Sequence, residues 1–220
     1  MVVTPELTPE LIIRAYARGI FPMAEAAHSP RLHWFEPEWR GVLPLTRFHA
    51  ARSLRRSLRR GGWRFSCDTA FAEVLAACAD RAETWINPDI ARVFNALHSL
   101  GLAHSIEVRD RDGALAGGLY GLALRGGFFA ESMFSRRSDA SKLALGELVA
   151  RLRLGGFKLL DTQYLTPHLE TLGGIEISRD AYRRALAQAL NTETDHAAAF
   201  APVNPDAANG AYWQPITQTS

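Results

Sequence analysis

Residues 103 to 135 constrain the fold more than any other part of this chain. Three apolar runs, AHSIEVRD (103–110), ALAGGLYGLAL (114–124) and FFAESMFS (128–135), are separated only by Arg111-Asp112-Gly113 and Arg125-Gly126-Gly127. Such short gaps, each with glycine, read as turns between antiparallel neighbours, because a parallel return needs a crossover of about a dozen residues. The runs therefore predict a three-stranded meander. With 47% hydrophobic residues in 220, the chain can bury a full core around it.

Helix signals flank the meander. Thr8 and Pro9 start a short amphipathic helix through LIIRAYAR that stops at Gly19, and the Pro- and aromatic-rich residues 19–45 that follow read as irregular, with short strands near 32–35 and 41–45. A basic helix is expected at about 48–60. Asp68 is read as the cap of a helix that buries Phe71, Val74, Leu75 and Cys78, and Asn87-Pro88 starts another that buries Ile90, Val93, Phe94 and Leu97. After the meander, a helix begins at Ser138 or Asp139 and ends at Gly155-Gly156, leading into strand FKLLD. Thr166-Pro167 opens a short helix, Ile175 and Ile177 mark a strand, and Ser178 caps a last helix through Leu190. Residues 196–220 show no periodicity and read as a mobile tail. The expected organisation is a small N-terminal domain (1–47), a larger domain (48–195) and that tail.

The net charge of +2 conceals an uneven distribution. Residues 39 to 67 contain no Asp or Glu but eight Arg, and Arg52, Arg55, Arg56, Arg59 and Arg60 fall on one helical face with Leu54 and Leu58 turned inward. Unopposed guanidinium groups repel one another until an anion neutralises them, which points to phosphate; a solvated face whose Arg stems cover apolar surface is the alternative. Cys67 and Cys78 lie eleven apart without a CxxC or matching His spacing, so neither a disulfide nor a metal site is expected, and His98, His104 and His168 read as structural. No run approaches the roughly 18 apolar residues of a membrane helix, and the first residues carry acid where a secretory signal carries Lys or Arg; a cytoplasmic protein is expected.

Two apolar strands carry polar intrusions. FFAESMFS contains Glu131, and KLLDTQYL (158–165) runs into Asp161 and Gln163. An ionised carboxylate among Phe128, Phe129, Met133 and Phe134 costs free energy unless paired, so these strand ends mark a pocket with chemistry to perform or a network bracing the strands.

Ordered blocks through about residues 8 to 185 carry a resemblance: RGIFPM (18–23), HWFEPEWRGVLPL (33–45), TWI (84–86), AHSIE (103–107), GGLYG (117–121), ESMFS (131–135), DASK (139–142), LLDTQ (159–163) and HLETLGG (168–174). The chain resembles the bacterial leucyl/phenylalanyl-tRNA protein transferases. The resemblance implies an α+β fold, with a small N-terminal α/β domain beside a larger acetyltransferase-like domain whose mostly antiparallel sheet is flanked by helices. It implies an enzyme that moves Leu or Phe, less often Met, from aminoacyl-tRNA to the N-terminal Arg or Lys of acceptor proteins, marking them for degradation, without ATP, metal or other cofactor. Three positions depart from the family pattern: Phe35 stands where a second Trp is common, Ala130 where Gly is, and Thr162 where Cys is.

By the same resemblance, Asp161 and Gln163 orient the attacking amine. As i and i+2 on a strand they share a face, so Asp161 is expected to accept from the Gln163 side-chain amide. Glu131 has two open duties, pairing with the acceptor's basic side chain or holding its α-amine. Leu119, Phe128, Ala130, Met133, Leu145, Leu148 and Leu160 are expected to line the pocket for the donor's apolar side chain. The tRNA is expected over Arg47, Arg52, Arg55, Arg56, Arg59 and Arg60, with Trp34, Phe35 and Trp85 stacking at its 3′ end. A monomer suffices for this. The rival readings are an acetyl-CoA-dependent N-acetyltransferase, disfavoured because the turn RRSDASK (136–142) lacks the glycines that cradle pyrophosphate, and a non-catalytic RNA-binding module, which leaves Glu131, Asp161 and Gln163 without a purpose.

Overall fold

A computed structural model describes residues 6–202. The meander forms as expected from β5 (Ala103–Arg109), β6 (Leu115–Leu124) and β7 (Gly127–Ser135), paired antiparallel in sequence. Around it the sheet grows to seven strands in the order β4-β5-β6-β7-β8-β3-β9, where β3 is Trp39–Val42, β4 Arg64–Cys67, β8 Leu159–Gln163 and β9 Ile175–Ser178. Every pairing is antiparallel except β7 with β8, whose connection runs through α5 (Ala140–Leu154). The mostly antiparallel, helix-flanked sheet is the architecture expected. A separate two-stranded ribbon pairs β1 (Phe21–Ala24) with β2 (Leu32–Phe35).

Alternation along the strands feeds two cores. Tyr120, Leu122 and Phe129 pack in one with Ile12 of α1 (Pro9–Tyr16), Val74 of α3 (Phe71–Ala79), Phe94 of α4 (Pro88–Ser99) and Leu186 of α7 (Arg179–Leu190). Leu119, Ala123 and Phe128 pack in the other with Leu54 of α2 (Arg52–Arg59) and with α5. Side-chain caps set five of the helix starts: Thr8, Asn87, Thr166, Ser178 and Asp195 each accept a hydrogen bond from the backbone N–H three residues on, Thr166 opening α6 (Pro167–Glu170) and Asp195 opening α8 (His196–Phe200).

Three expectations are corrected. Asp68 does not cap α3. It sits at φ +58°, and its carboxylate accepts from Ser105 N at 2.8 Å and lies 2.7 Å from His104 Nδ1, tying β4 to β5 instead. The strand expected near 41–45 spans Trp39–Val42 and lies inside the seven-stranded sheet rather than in a separate N-terminal unit. The first residues of the expected mobile tail form α8 (His196–Phe200); the rest of that tail, from 203, lies outside the described residues. α8 has a local cap in Asp195 but, at five residues, no periodic pattern to reveal it, and its other anchors are distant. The buried Arg151 guanidinium, paired with Glu147 at 2.8 Å, donates to the carbonyls of Ala199 and Ala201, and Phe200 stacks on His104 at 3.6 Å.

Candidate active site

The parallel pairing of β7 and β8 covers Gly127↔Leu159, Phe128↔Leu160 and Phe129↔Asp161 and then ends. Beyond that point, Ala130 to Met133 of β7 and Thr162 to Tyr164 at the end of β8 line a cavity of about 300 Å³. Its apolar lining comes from Phe21, Met23, Trp85, Leu119, Ala130, Met133 and Leu169, and its polar lining includes Glu131, Gln163, Arg81 and His168.

A β-bulge aims Glu131. Tyr120 pairs with Ser132 and Gly121 with Ala130, so Glu131 is the extra residue of β7 at a register shift. Burial pushes its carboxyl up to about 8, against the lowering influence of the Tyr16 hydroxyl; nearby Asp161 raises it further and Arg40 opposes that. Burial thus favours the protonated carboxyl at neutral pH. Gln163 Nε2 donates to Glu131 Oε1 at 3.4 Å, so the two polar intrusions read from the sequence meet.

Asp161 is differently employed from the expectation. Its side chain is 0% exposed, and it does not line the cavity. Oδ1 accepts from Arg40 Nε at 2.9 Å and from the backbone N–H of Gln163 at 2.8 Å; Oδ2 accepts from Arg40 Nη2 at 2.7 Å and from the Tyr182 hydroxyl at 2.6 Å. The Gln163 side-chain amide goes to Glu131 instead of Asp161. The shared-face expectation fails because Gln163 adopts φ +57°, which ends strand alternation at that residue. Burial, then Asp161, holds the Tyr182 hydroxyl far above the usual tyrosine range.

Of the residues expected to surround the donor side chain, Leu119, Ala130 and Met133 line the cavity. Phe128, Leu145, Leu148 and Leu160 do not; they are 0–1% exposed in the core behind Leu119. Trp85 lines the cavity, half-buried. Phe35 stacks on the cavity residue Phe21 at 5.8 Å, while Trp34 on the same strand is exposed. Arg47 is exposed, as are Arg52, Arg56, Arg59 and Arg60 of the basic helix and its C-cap. Arg55 is half-buried, its Nε donating to Ala50 O at 3.0 Å. Among the described residues none of these six Arg side chains has a carboxylate within ion-pair distance.

Sequence reasoning missed Arg40, Tyr182, Tyr16, Arg81 and the place of His168. Arg40 counted only as one of a basic run, and nothing local links it to a carboxylate 121 residues away. Arg81 donates to Ser132 Oγ at 3.3 Å and to the Met133 carbonyl, which tethers the 81–84 segment to β7. His168, read as structural, lines the cavity, and burial with Lys142 lowers its affinity for a proton.

An apolar cleft that adjoins an aimed carboxyl and amide is the site of an enzyme. The sequence profile described as leucyl/phenylalanyl-tRNA protein transferase matches residues 42–187, and that of its N-terminal domain matches 5–38. Relatives of the same name include one from Cereibacter sphaeroides, 58% identical over 186 residues (84% of this chain, 86% of the relative). Another, from Ruegeria pomeroyi, is 55% identical over 214 residues (97% and 99%). The chain is a transferase, and it belongs to the leucyl/phenylalanyl-tRNA protein transferase family. Among solved structures, the C-terminal domain of a putative lysylphosphatidylglycerol synthetase from Agrobacterium fabrum aligns with a TM-score of 0.40 at 13% identity, covering 83% of this chain and 63% of that one. This chain thus spans less than two thirds of that neighbour's length. No helix of the described residues is long and apolar enough to cross a membrane.

Proposed function

We propose that this chain moves Leu or Phe, less often Met, from aminoacyl-tRNA to the N-terminal Arg or Lys of acceptor proteins and so marks them for degradation, acting as a cytoplasmic monomer. The observation that carries the reading is one cavity in which the apolar surfaces of Leu119, Ala130 and Met133 adjoin the Glu131–Gln163 pair. The donor's side chain takes the apolar end, and overlap between Leu, Phe and Met follows because an apolar pocket discriminates a methylene by only about 1–3 kcal/mol.

The aminoacyl ester is already activated, so the reaction needs only a neutral amine, its orientation and a path for its proton. The α-amine, with an ordinary pKa of about 7.7–8.0, attacks the ester carbonyl; the C–N bond forms, the C–O bond to the terminal ribose breaks, and the proton lost by nitrogen ends on that ribose oxygen. Gln163, with its Nε2 on Glu131, has Oε1 available to accept from the amine. Gln is a poor base, so orientation is its contribution. Glu131 recognises the acceptor's basic side chain. An arriving guanidinium or ammonium favours the ionised carboxyl, so a charge that burial makes costly forms when its partner enters. The α2 arginines and Arg47 take the tRNA backbone, with Trp34, Phe35 and Trp85 as stacking faces at its 3′ end.

The test offers purified protein tRNA charged with radiolabelled Leu, together with peptides beginning with Arg or Ala, and separately acetyl-CoA. Label on the Arg peptide alone is expected. Acetylation in its place, or tRNA binding without transfer, refutes the reading.

A further inference from the structure

We propose that Arg40 and Tyr182 are positioning residues for Gln163, acting through Asp161, and that Asp161 is itself an anchor rather than a proton acceptor. The proposal rests on the reading of Gln163 as the group that orients the acceptor amine.

Asp161 has no capacity left for a substrate. A carboxylate offers about four acceptor directions, and here four donor atoms fill them, with Arg40 Nε shared between Oδ1 at 2.9 Å and Oδ2 at 3.2 Å. Arg40 supplies two of these donors and is itself immobilised. It is 1% exposed, its Nη1 donates to Gly19 O at 3.0 Å, and its guanidinium lies 4.5 Å from the ring centres of both Phe21 and Tyr182. Tyr182 supplies the third donor from α7. What this rigid assembly presents outward is the fourth contact, to the backbone N–H of Gln163.

That contact matters because of where it falls. Gln163 is a non-glycine residue in the left-handed region, a conformation that persists only when its surroundings over-determine it. Asp161 Oδ1 holds the residue from one side. From the other, β3 lets the chain cross at Gly41, which is paired with Gln163; a Cβ there would lie 2.4 Å from Tyr164 C and 2.5 Å from Leu165 N. The turn this produces sends the Gln163 side chain to Glu131 and into the cavity. None of Arg40, Asp161 and Tyr182 lines the cavity, and Gln163 is the cavity residue to which Asp161 is hydrogen-bonded; the charges of Asp161 and Arg40 also bear on Glu131, and the cycle below separates that route by removing Gln163 alone.

The discriminating experiment is a double-mutant cycle between Tyr182→Phe and Gln163→Ala, with kcat and KM measured for Leu transfer to an Arg peptide. Tyr182→Phe keeps the ring on Arg40 and the ion pair, and removes one hydrogen bond. It is expected to lower kcat about 3- to 10-fold with KM for Leu-tRNA unchanged, and to have no effect in the Gln163→Ala background. Losses that multiply in that background, an unchanged kcat, or a change confined to KM overturn the proposal. Hydrogen exchange at the Gln163 amide supplies a readout apart from activity: Tyr182→Phe should speed it about 3- to 10-fold, and unchanged protection refutes the anchor. If Tyr182→Phe does not fold, 3-fluorotyrosine at position 182 changes donor strength alone. It should then shift kcat in the native background and not beside Gln163→Ala, and equal shifts overturn the proposal. An unaltered protein that transfers no Leu defeats the proposed function, and the exchange measurement then still decides the anchor.

Discussion

At the scale of the residue, Glu131 carries the most consequence. Its carboxyl titrates near 8 in the fold, against about 4.3 in an unfolded chain, so between those values the native state holds the extra proton. The contribution of this group to stability is therefore full below about pH 4.3, shrinks as pH rises and the unfolded chain's carboxyl ionises while the native one stays protonated, and levels off above about 8. Glu131→Gln should remove that slope: a melting temperature raised by roughly 3–10 °C at pH 8.5, with little change at pH 5, by thermal unfolding at both values. The same variant should lose the preference for Arg- over Ala-initiated peptides while turnover persists; preference retained with turnover abolished would reassign Glu131 to the amine. Glu131 and Gln163 were legible in the sequence because a polar side chain interrupting an apolar strand is visible locally. Arg40 and Tyr182 were not, since their meaning lies in a carboxylate 121 and 21 residues away. Phe128, Leu145, Leu148 and Leu160 could not be separated from Leu119 and Met133 by type, because a pocket wall and a core use the same apolar residues.

At the scale of the element, α2 is an unusual helix. It has four Arg in eight residues, no acid in its first turn, no side-chain cap, and one buried residue, Leu54. Like charges one turn apart oppose a helix, so α2 should gain order when an anion is bound. Replacing Arg56, Arg59 and Arg60 with Gln should weaken tRNA binding and make the plot of log affinity against log salt shallower by up to about 2–3; an unaltered slope would remove the helix from the tRNA interface. Helix starts were legible where a cap acts over three residues, as at Thr8, Asn87, Thr166 and Ser178. Asp68 misled because its carboxylate had a stronger, non-local offer from His104 and Ser105. α8 was hidden although Asp195 caps it locally, because five residues show no periodicity and its packing partners are distant. Its anchor Phe200 is 8% exposed, and Phe200→Ala should cost about 3–5 kcal/mol in denaturant unfolding if α8 belongs to the cooperative unit.

At the scale of the whole molecule, the meander was legible and the sheet's order was not, because no turn signal records that β3 inserts between β8 and β9. A boundary near residue 47 would remove that strand. A fragment beginning at residue 48 should therefore lack a cooperative unfolding transition, whereas one beginning at residue 6 should retain it; a sharp transition in the shorter fragment would restore the small N-terminal domain as a separate unit. The position of β3 also sets a timetable. Arg40 leaves the ribosome early, but Asp161 and Tyr182, the groups that receive its charge, emerge 121 and 142 residues later. At a synthesis rate of about 5–20 residues per second, its guanidinium must stay hydrated for roughly 6–30 seconds before a partner exists. The cleft is thus a product of completion: a chain terminated before residue 161 has no carboxylate to receive Arg40 and no Gln163, and it presents an unfinished sheet.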